Sequence, residues 1–421
     1  MSTVKANNHQ VGQSATPSQN LTWYQPTTPD GTVRLGVGNS GATTSDVITA
    51  SSSGITVPSL SASNTFGFKN RLINGGMTID QRNAGASGTS NSYTVDRWAY
   101  YGTQASKGTW GQNLNSVTTI IGFPNYLGFQ SSSAYSVTAS DTFALYQGFE
   151  GYNLADLGFG TSSAKTITLS FYVYSSLTGT FGGSFKNYAG TRSYPFSYSV
   201  GSANTWIFIS ITIPGDTSGT WVGATNSGAA YVNFGLGQGS TYSGTAGTWA
   251  AADYRSATGA TSVVGTSGAT FYITGVQLEV GSQATSFDFR SIGQELALCQ
   301  RYYEKSCSIG TAPSDGLAVG ANGVYGGGAI TAFGSTNART PTFTFQAAKR
   351  AAPTITFYRS SVTTANGQWG YYTTSAWASS TNTTVTDNGQ GTYGFSIDMA
   401  GSFSATASYL MSGIWAASAE L

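Results

Sequence analysis

The stretch KTITLSFYVYSS, residues 165–176, alternates apolar and polar side chains along most of its length. Ile167, Leu169, Phe171 and Val173 lie two positions apart, and side chains with that spacing point to the same side of a β-strand. One apolar face and one polar face are typical of a strand in an antiparallel sheet that covers a core on one side only. The stretch therefore predicts one strand of a β-sandwich.

Similar strands recur around this stretch, separated by turns rich in Gly, Ser and Asn. The clearest are TWIFISITIP (205–214), AAYVNFGLGQG (229–239) and ATFYITGVQLEVG (269–281). Together they predict one β-sandwich over residues 66–290. The alternation returns in RTPTFTFQ (339–346) and in residues 390–421, which predicts a second, smaller β domain over residues 307–421.

Composition favours an all-β fold. The chain of 421 residues contains 55 Gly, 25 Tyr, 22 Phe and 9 Trp. Gly is unfavourable in helices, whereas aromatic residues are enriched in strands and depleted in disordered chains. Only 8% of the residues are charged and the net charge is +1, so the sequence predicts no binding of nucleic acid or of an anionic membrane. No stretch is apolar over the roughly 18 to 20 residues that a membrane span needs.

The N-terminal part follows a different pattern. Its first 20 residues are polar and show no periodicity, so we expect residues 1–30 to be a docking arm that orders against a partner, with Trp23 and Tyr24 as candidate docking residues. Strands at 46–50 and 54–57 predict a fibre shaft or linker over 31–65, because strands this short need neighbouring copies. The N-terminus lacks the apolar core of a signal peptide, so we expect assembly in a cytoplasm with both cysteines reduced.

Charge is concentrated in VQLEVGSQATSFDFRSIGQELALCQRYYEKS, residues 276–306, where seven of 31 residues are charged. Ser291 and Gln294 form the S-x-x-Q pattern of a capping box, which predicts a helix that begins there and continues to Lys305. Its apolar stripe consists of Ile292, Leu296, Cys299 and Tyr303. We therefore expect a linker helix over 291–306 between the two β domains, and a packing role for Cys299.

Three stretches resemble a group of bacteriophage fibre and receptor-binding proteins: KNRLINGGMTIDQRN…YTVDRWAYY (69–101), residues 276–306, and MSGIWAASAEL (411–421). In that group an N-x-x-I-N-G…D-R-W signature opens a carbohydrate-binding-module-like jelly roll, which ends in Q-L-E-x-G-x-x-A-T-x-F before an E-L-x-L-C-Q-R-Y-Y helix. The matching positions are Asn74, Gly75, Asp96, Arg97, Trp98, Gln277, Leu278, Glu279, Gly281, Ala284, Thr285, Phe287, Cys299, Gln300, Arg301, Tyr302 and Tyr303.

The resemblance covers residues 66–421 and implies a virion structural protein. Members of the group are usually homotrimeric fibres that attach to phage tail or capsid proteins by the N-terminus and point the C-terminal end outward. A non-enzymatic tail fibre that recognises a host surface polysaccharide is therefore the expected function, and the scarcity of charge suits a neutral polysaccharide. A capsid-attached head fibre or decoration protein and a glycan-degrading tailspike are the alternatives.

Candidate chemistry is sparse. The single histidine, His9, lies in the predicted arm, so the folded part offers no histidine base for a nucleophile and no His/Cys zinc site. Paired acids of a glycosidase remain an alternative to turn caps and ion pairs. The candidates are Asp141, Glu150, Asp156, Asp253 and Glu279. For Glu279 we expect pairing with Arg97 or another basic residue, with ligand contact as the alternative. We expect no cofactor, with Ca²⁺ as an open possibility.

Aromatic side chains are the better candidates for binding a glycan, because sugar rings stack on them while nearby polar groups bind the hydroxyls. The stretch NGQWGYYTTSAW (366–377) holds four of them among small polar residues, and two more have similar surroundings in the sandwich. The predicted glycan-binding residues are Trp369, Tyr371, Tyr372, Trp377, Trp110 and Trp221. A place in the core or in a trimer interface is the alternative for each.

Overall fold

A computed structural model describes residues 8–11, 14–26, 31–39, 42–52, 54–56, 68–317, 326–360, 368–373, 376–380, 382–385, 391–405 and 407–421. The chain divides into two compact units, Met1–Thr65 and Phe66–Leu421. The described residues form 30 strands and one α-helix. The predicted all-β class is therefore confirmed. None of the helices described is long and apolar enough to cross a membrane.

The first unit contains one antiparallel sheet whose strands pair in chain order. Its strands are β1 (Asn8–Val11), β2 (Leu21–Tyr24), β3 (Val33–Asn39), β4 (Ala42–Ser51) and β5 (Gly54–Thr56), with a 3-10 helix at Pro17–Gln19. The predicted strands at 46–50 and 54–57 are β4 and β5, except that residue 57 lies outside the described residues. Part of the predicted arm, β1 and β2, thus pairs within the chain, and its docking role stays a prediction.

The second unit begins with a β-sandwich of the jelly-roll type. Its strands are β6 (Ser92–Tyr93), β7 (Trp98–Gly102), β8 (Gly108–Gln112), β9 (Leu127–Ser131), β10 (Thr142–Glu150), β11 (Ile167–Ser175), β12 (Gly179–Asn187), β13 (Ser193–Val200), β14 (Ile207–Ile213), β15 (Gly228–Gln238), β16 (Ser243–Gly244), β17 (Ser256–Ala257) and β18 (Thr270–Val280). Four further 3-10 helices lie at Leu114–Ser116, Gly151–Asn153, Ala155–Leu157 and Ser240–Tyr242. A six-stranded antiparallel sheet has the order β13-β12-β15-β10-β7-β6, and a five-stranded one has the order β14-β11-β18-β9-β8.

The inner faces of these two sheets form the core. Leu169 and Phe171 of β11 are fully buried, as the alternation predicted, and the ring of Phe171 lies 4.9 Å from that of Phe234 on the opposite sheet. Trp98 is fully buried in the same core, and its indole nitrogen donates to the carbonyl of Asn74 at 3.1 Å. A Cβ on Gly75 would lie 2.0 Å from the carbonyl oxygen of Val276, so the N-G step of the signature requires glycine there.

The single helix of the described residues, α1, extends over Ile292–Gln300. Ser291 caps it by accepting a hydrogen bond from the backbone of Gln294 at 3.4 Å, as the sequence predicted. The prediction that it continues to Lys305 is wrong, because Tyr303–Lys305 form strand β19 and pair with the last strand of the chain. Cys299 is fully buried, which confirms its packing role.

The remaining strands form the C-terminal sheets of the second unit, which we call the distal domain. They are β19 (Tyr303–Lys305), β20 (Gly326–Ala332), β21 (Asn337–Arg339), β22 (Phe343–Thr344), β23 (Thr354–Tyr358), β24 (Gly370–Tyr372), β25 (Trp377–Ser379), β26 (Asn382–Val385), β27 (Gly394–Phe395), β28 (Ile397–Ala400), β29 (Ser408–Ser412) and β30 (Ile414–Ser418). They form sheets of the orders β19-β30-β23, β25-β24-β29-β20-β21-β28-β26 and β22-β27. Trp369, Phe395 and Trp415 belong to their common core.

Ion pairs join the sandwich to the distal domain within the second unit. The Arg97 guanidinium, 1% exposed, pairs with Glu420 and stacks on the ring of Tyr302 at 3.5 Å. Arg301 binds both carboxylate oxygens of Glu150, at 2.9 and 3.0 Å. We call this set of contacts the joint; it includes Arg301, one of the seven charged residues of 276–306, and opposite charges in a low-dielectric region attract strongly once they are paired.

Candidate functional site

A cleft of about 230 Å³ lies on the outer face of the six-stranded sheet. In β10, Phe143 and Leu145 point into the core, so Ala144 and Tyr146 point outward. The register pairs Ala144 with Gly235 and Tyr146 with Asn233 of β15, and the small residues keep the floor of the cleft low. The cleft is lined by Tyr101, Thr142, Ala144, Tyr146, Lys186, Tyr231, Asn233 and Arg255.

Tyrosine rings form its walls. Tyr101 is 39% exposed, the rings of Tyr146 and Tyr231 meet edge to face at 5.6 Å, and Tyr188 stacks on Tyr231 at 5.0 Å. Such rings present apolar faces to the C–H groups of a sugar. Burial raises the pKa of Tyr146 and of Tyr231 above the usual value for tyrosine, at which the hydroxyl is already protonated at neutral pH.

Polar groups on the same face have spare hydrogen-bonding capacity. Thr142 is 1% exposed, and its hydroxyl has no hydrogen-bond partner among the described residues. Gln238, its register partner, and Ser256 line a smaller adjoining hollow, and the Gln238 Oε1 and Ser256 Oγ atoms likewise have no partner in the described part of the chain. A buried polar atom without a partner costs free energy, so a ligand hydroxyl that reached one of these atoms would gain a hydrogen bond.

Two cationic side chains and one carboxylate lie at the end of the cleft next to β12. The ammonium group of Lys186 binds Asp253 Oδ1, and the Arg255 guanidinium binds Asp253 Oδ2 at 2.9 Å. Burial lowers the pKa of Lys186, while the charge and hydrogen bond of Asp253 act in the opposite direction. The Arg255 guanidinium also lies over the ring of Tyr242, 4.3 Å from its centre, which fixes its position.

Three of the predicted glycan-binding residues lie in the cores instead. Trp369, Tyr371 and Trp110 are buried, and a ring without an exposed face has none to offer a sugar. The prediction is therefore wrong for these three. The indole nitrogen of Trp369 donates to the carbonyl of Ile414, and that of Trp110 donates to the carbonyl of Ser90, so both nitrogens have partners within the chain.

Trp221 is half-buried at the end of the sandwich. Its ring packs edge to face against Phe159 at 4.9 Å, and its nitrogen donates to the Asp216 carboxylate at 3.1 Å. Asp216 also holds Arg192 through two hydrogen bonds, at 2.6 and 2.8 Å. These contacts describe a packing role, while glycan binding by Trp221 stays a prediction.

Tyr372 and Trp377 are the predicted residues that remain accessible, at 38% and 47% exposure. They are register partners on β24 and β25, and their rings meet edge to face at 5.5 Å. Leu410 of β29 lies opposite Tyr372 and is also exposed, so the three form a row on one face of the seven-stranded sheet. The structure thus brings these two residues together, far along the chain from the cleft residues.

In the N-terminal unit, Trp23 is exposed and Tyr24 is half-buried on β2. Trp23 pairs in register with Leu35 of β3, and Leu21 on the same face as Trp23 is exposed as well. An exposed tryptophan on an apolar sheet face is consistent with a contact surface. Their role in docking stays a prediction.

The predicted acids have structural partners. Glu279 is fully buried and accepts hydrogen bonds from Thr285 and Gln277, which lie close enough to satisfy it locally. Among the described residues it forms no ion pair, so its predicted pairing with Arg97 or another basic residue is wrong. Asp141 accepts from Thr103, Thr138 and Tyr135. Asp156 pairs with Arg71 at 2.7 Å. Within the described residues, no group of three His, Cys, Asp or Glu side chains could hold a metal ion.

The cleft tyrosines are functional candidates that the sequence interpretation missed. One signal was available in TFALYQGFE, residues 142–150, where Phe143, Leu145, Gln147 and Phe149, three of them large and apolar, alternate with Thr142, Ala144, Tyr146 and Gly148. An outward row of small residues around a tyrosine is unusual for a face that only meets solvent, where charged residues are common. The position of Tyr101, Lys186 and Arg255 beside that row depends on strand order, which the sequence does not show.

No protein-family model matches the chain, and no curated protein matches its sequence. Among solved structures, the enzymatically active domain of tailspike protein 4 from bacteriophage CBA120 is similar, with 13% identity over 50% of this chain and a TM-score of 0.29. The match spans 21% of that tailspike chain, about a fifth of its length.

Two sugar-binding proteins are similar over their full length. A putative sugar-binding protein from Bacteroides thetaiotaomicron shows 11% identity over 51% of this chain and 100% of its own, with a TM-score of 0.31. The carbohydrate-binding module TmCBM61, solved with β-1,4-galactotriose, shows 12% identity over 51% of this chain and 99% of its own, with a TM-score of 0.26.

Proposed function

We propose that this chain is a non-enzymatic tail fibre protein of a bacteriophage, and that it binds a host cell-surface glycan in the cleft of its jelly roll. The observation that carries the proposal is the combination of tyrosine walls with the buried, unpartnered hydroxyl of Thr142 in one open cleft. A protein that recognises a sugar ring needs aromatic faces on which the ring stacks and free polar atoms that bind its hydroxyls.

The virion assignment follows from the resemblance of residues 66–421 to phage fibre and receptor-binding proteins. The non-enzymatic assignment is supported by the acids themselves. Asp141, Glu150 and Asp156 are each engaged by donors of the same chain, and Glu279 is fully buried. A glycosidase needs one acid free to protonate the leaving group and a second free to attack or to activate water.

Binding of the purified full chain to host cells and to their extracted surface polysaccharide tests the proposal. We expect the protein to block phage adsorption and to bind the polysaccharide without releasing reducing sugar. The variants Tyr101→Ala and Tyr231→Ala remove ring faces from the cleft and are expected to weaken binding by about threefold to tenfold. Tyr393→Ala is the matched control, because Tyr393 is 74% exposed in the distal domain.

Equal affinity of the Tyr101→Ala, Tyr231→Ala and unmodified proteins would show that the cleft is not the site. Release of reducing sugar that disappears when one acid is replaced would instead establish a tailspike. Electron microscopy of particles labelled near residue 30 distinguishes a tail fibre from the head fibre or decoration protein, because the label then lies on the tail or on the capsid.

A further inference from the structure

The charge of the cleft differs from that of the rest of the chain. Among the described residues that line it, the charged ones are Lys186 and Arg255, and both are cations. Asp253, just behind them, is the one carboxylate that both contact, so two positive charges share a single negative one. The whole chain nearly balances 18 basic against 17 acidic residues. The cleft therefore holds a local excess of positive charge.

Both cations are fixed in place and partly removed from water. The side chain of Lys186 is 8% exposed and that of Arg255 is 25% exposed. Lys186 has the ring of Tyr231 5.6 Å from its ammonium nitrogen, and Arg255 stacks on Tyr242. A cation held away from water costs free energy unless an anion compensates it, and here one carboxylate serves two cations.

We propose that the glycan unit bound in the cleft carries an anionic substituent, a carboxylate or a phosphate, which lies between Lys186 and Arg255 while the sugar ring packs on the tyrosines. The proposal rests on the proposed function and specifies the ligand of the same site. An anionic ligand differs from the neutral polysaccharide that the low overall charge of the chain predicts. Scarcity of charge over the whole chain says little about a cleft where two of the 18 basic residues meet.

An array of bacterial surface polysaccharides of known composition, probed with the full chain, tests the inference. We expect the retained polysaccharides to contain uronic acids, other acidic sugars or phosphate. Each retained polysaccharide is then converted in two separate ways, by reduction of its carboxylates to primary alcohols and by removal of its phosphates with hydrofluoric acid. Loss of binding after the first treatment identifies a carboxylate, and loss after the second identifies a phosphate.

The variant Arg255→Gln replaces the guanidinium by a shorter, uncharged amide, and we expect it to raise the Kd about tenfold or more, since hydrogen bonds to charged groups are the strong ones. Arg339→Gln is the matched control in the distal domain, where the Arg339 side chain is 55% exposed. Lys186→Gln provides a second variant, and thermal unfolding shows whether each protein is folded.

Retention of neutral polysaccharides alone, or unchanged affinity after both chemical treatments, overturns the inference. If Tyr101→Ala loses binding while Arg255→Gln and Lys186→Gln bind as the unmodified protein does, the inference fails and the proposed function stands. If no polysaccharide is retained and host cells are not bound, both fail together.

Discussion

Replacement of Glu420 by glutamine should destabilise the second unit strongly. Glu420 is 6% exposed, pairs with the buried Arg97, and lies 3.2 Å from a guanidinium nitrogen of Arg82. The substitution would keep the size of the side chain and remove its negative charge. Arg97 would keep its hydrogen bond to the carbonyl of Gly148 and its stacking on Tyr302, but its charge would have no counter-ion.

Breaking a buried ion pair by neutralising one partner typically costs about 3–5 kcal/mol, because the remaining charge stays buried. We expect a loss of that size in the free energy of unfolding of Glu420→Gln, measured by urea titration with tryptophan fluorescence. Asp398→Asn is the matched control: Asp398 pairs with the largely exposed Arg339, and exposed pairs contribute only about 0–1 kcal/mol. Equal losses for the two variants would refute the argument that the joint is a desolvated ion-pair network.

Three further predictions follow from other features. Gly75→Ala should lower the free energy of unfolding by about 1–3 kcal/mol, because its Cβ would lie 2.0 Å from the carbonyl oxygen of Val276. Urea titration checks this, and Gly293→Ala is the control because a Cβ at Gly293 would have no atom within 4 Å. Burial raises the pKa of Asp96 from 3.8 to about 6, although Arg82 and Gln81 act in the opposite direction. The protonated Asp96 therefore stabilises the fold below about pH 4, and this contribution is lost as the pH rises through about 6. In urea titrations at each pH, the free energy of unfolding relative to that of Asp96→Asn should increase as the pH falls from about 7 to about 5. Native mass spectrometry should give three times the chain mass, and a monomer at micromolar concentration would contradict the homotrimer.

The sequence predicts the strands well because their signal is local. In residues 165–176, alternation identifies the buried face residue by residue, and β11 buries Ile167, Leu169, Phe171 and Val173 as expected. The C-terminal end of α1 is different, because the residues after Gln300 are as compatible with helix as those before it. Pairing of Tyr303 with Ser418, more than 100 positions away, ends the helix there.

The buried tryptophans show why the binding residues were harder to predict. Trp110 and Trp369 are predicted to bind glycan because their neighbours in sequence are small and polar. In the structure, a Cβ on Gly88 would lie 2.3 Å from the ring of Trp110, and one on Gly413 would lie 2.2 Å from the ring of Trp369. These glycines, 22 and 44 positions away in sequence, make room for the large rings in the cores, and the sequence around each tryptophan does not show them.

The cleft and the joint share one strand, β10. The first half of β10 supplies Thr142 and Tyr146 to the cleft, while its second half supplies the Gly148 carbonyl to Arg97 and the Glu150 carboxylate to Arg301. A fragment that ends before residue 291 would keep Arg97 and Glu150 but lose the partners of both, Glu420 and Arg301. Since unpaired buried charges cost several kcal/mol, that fragment would lose support along the strand that forms the cleft floor. We therefore expect the proposed glycan binding in the cleft to require the whole unit Phe66–Leu421.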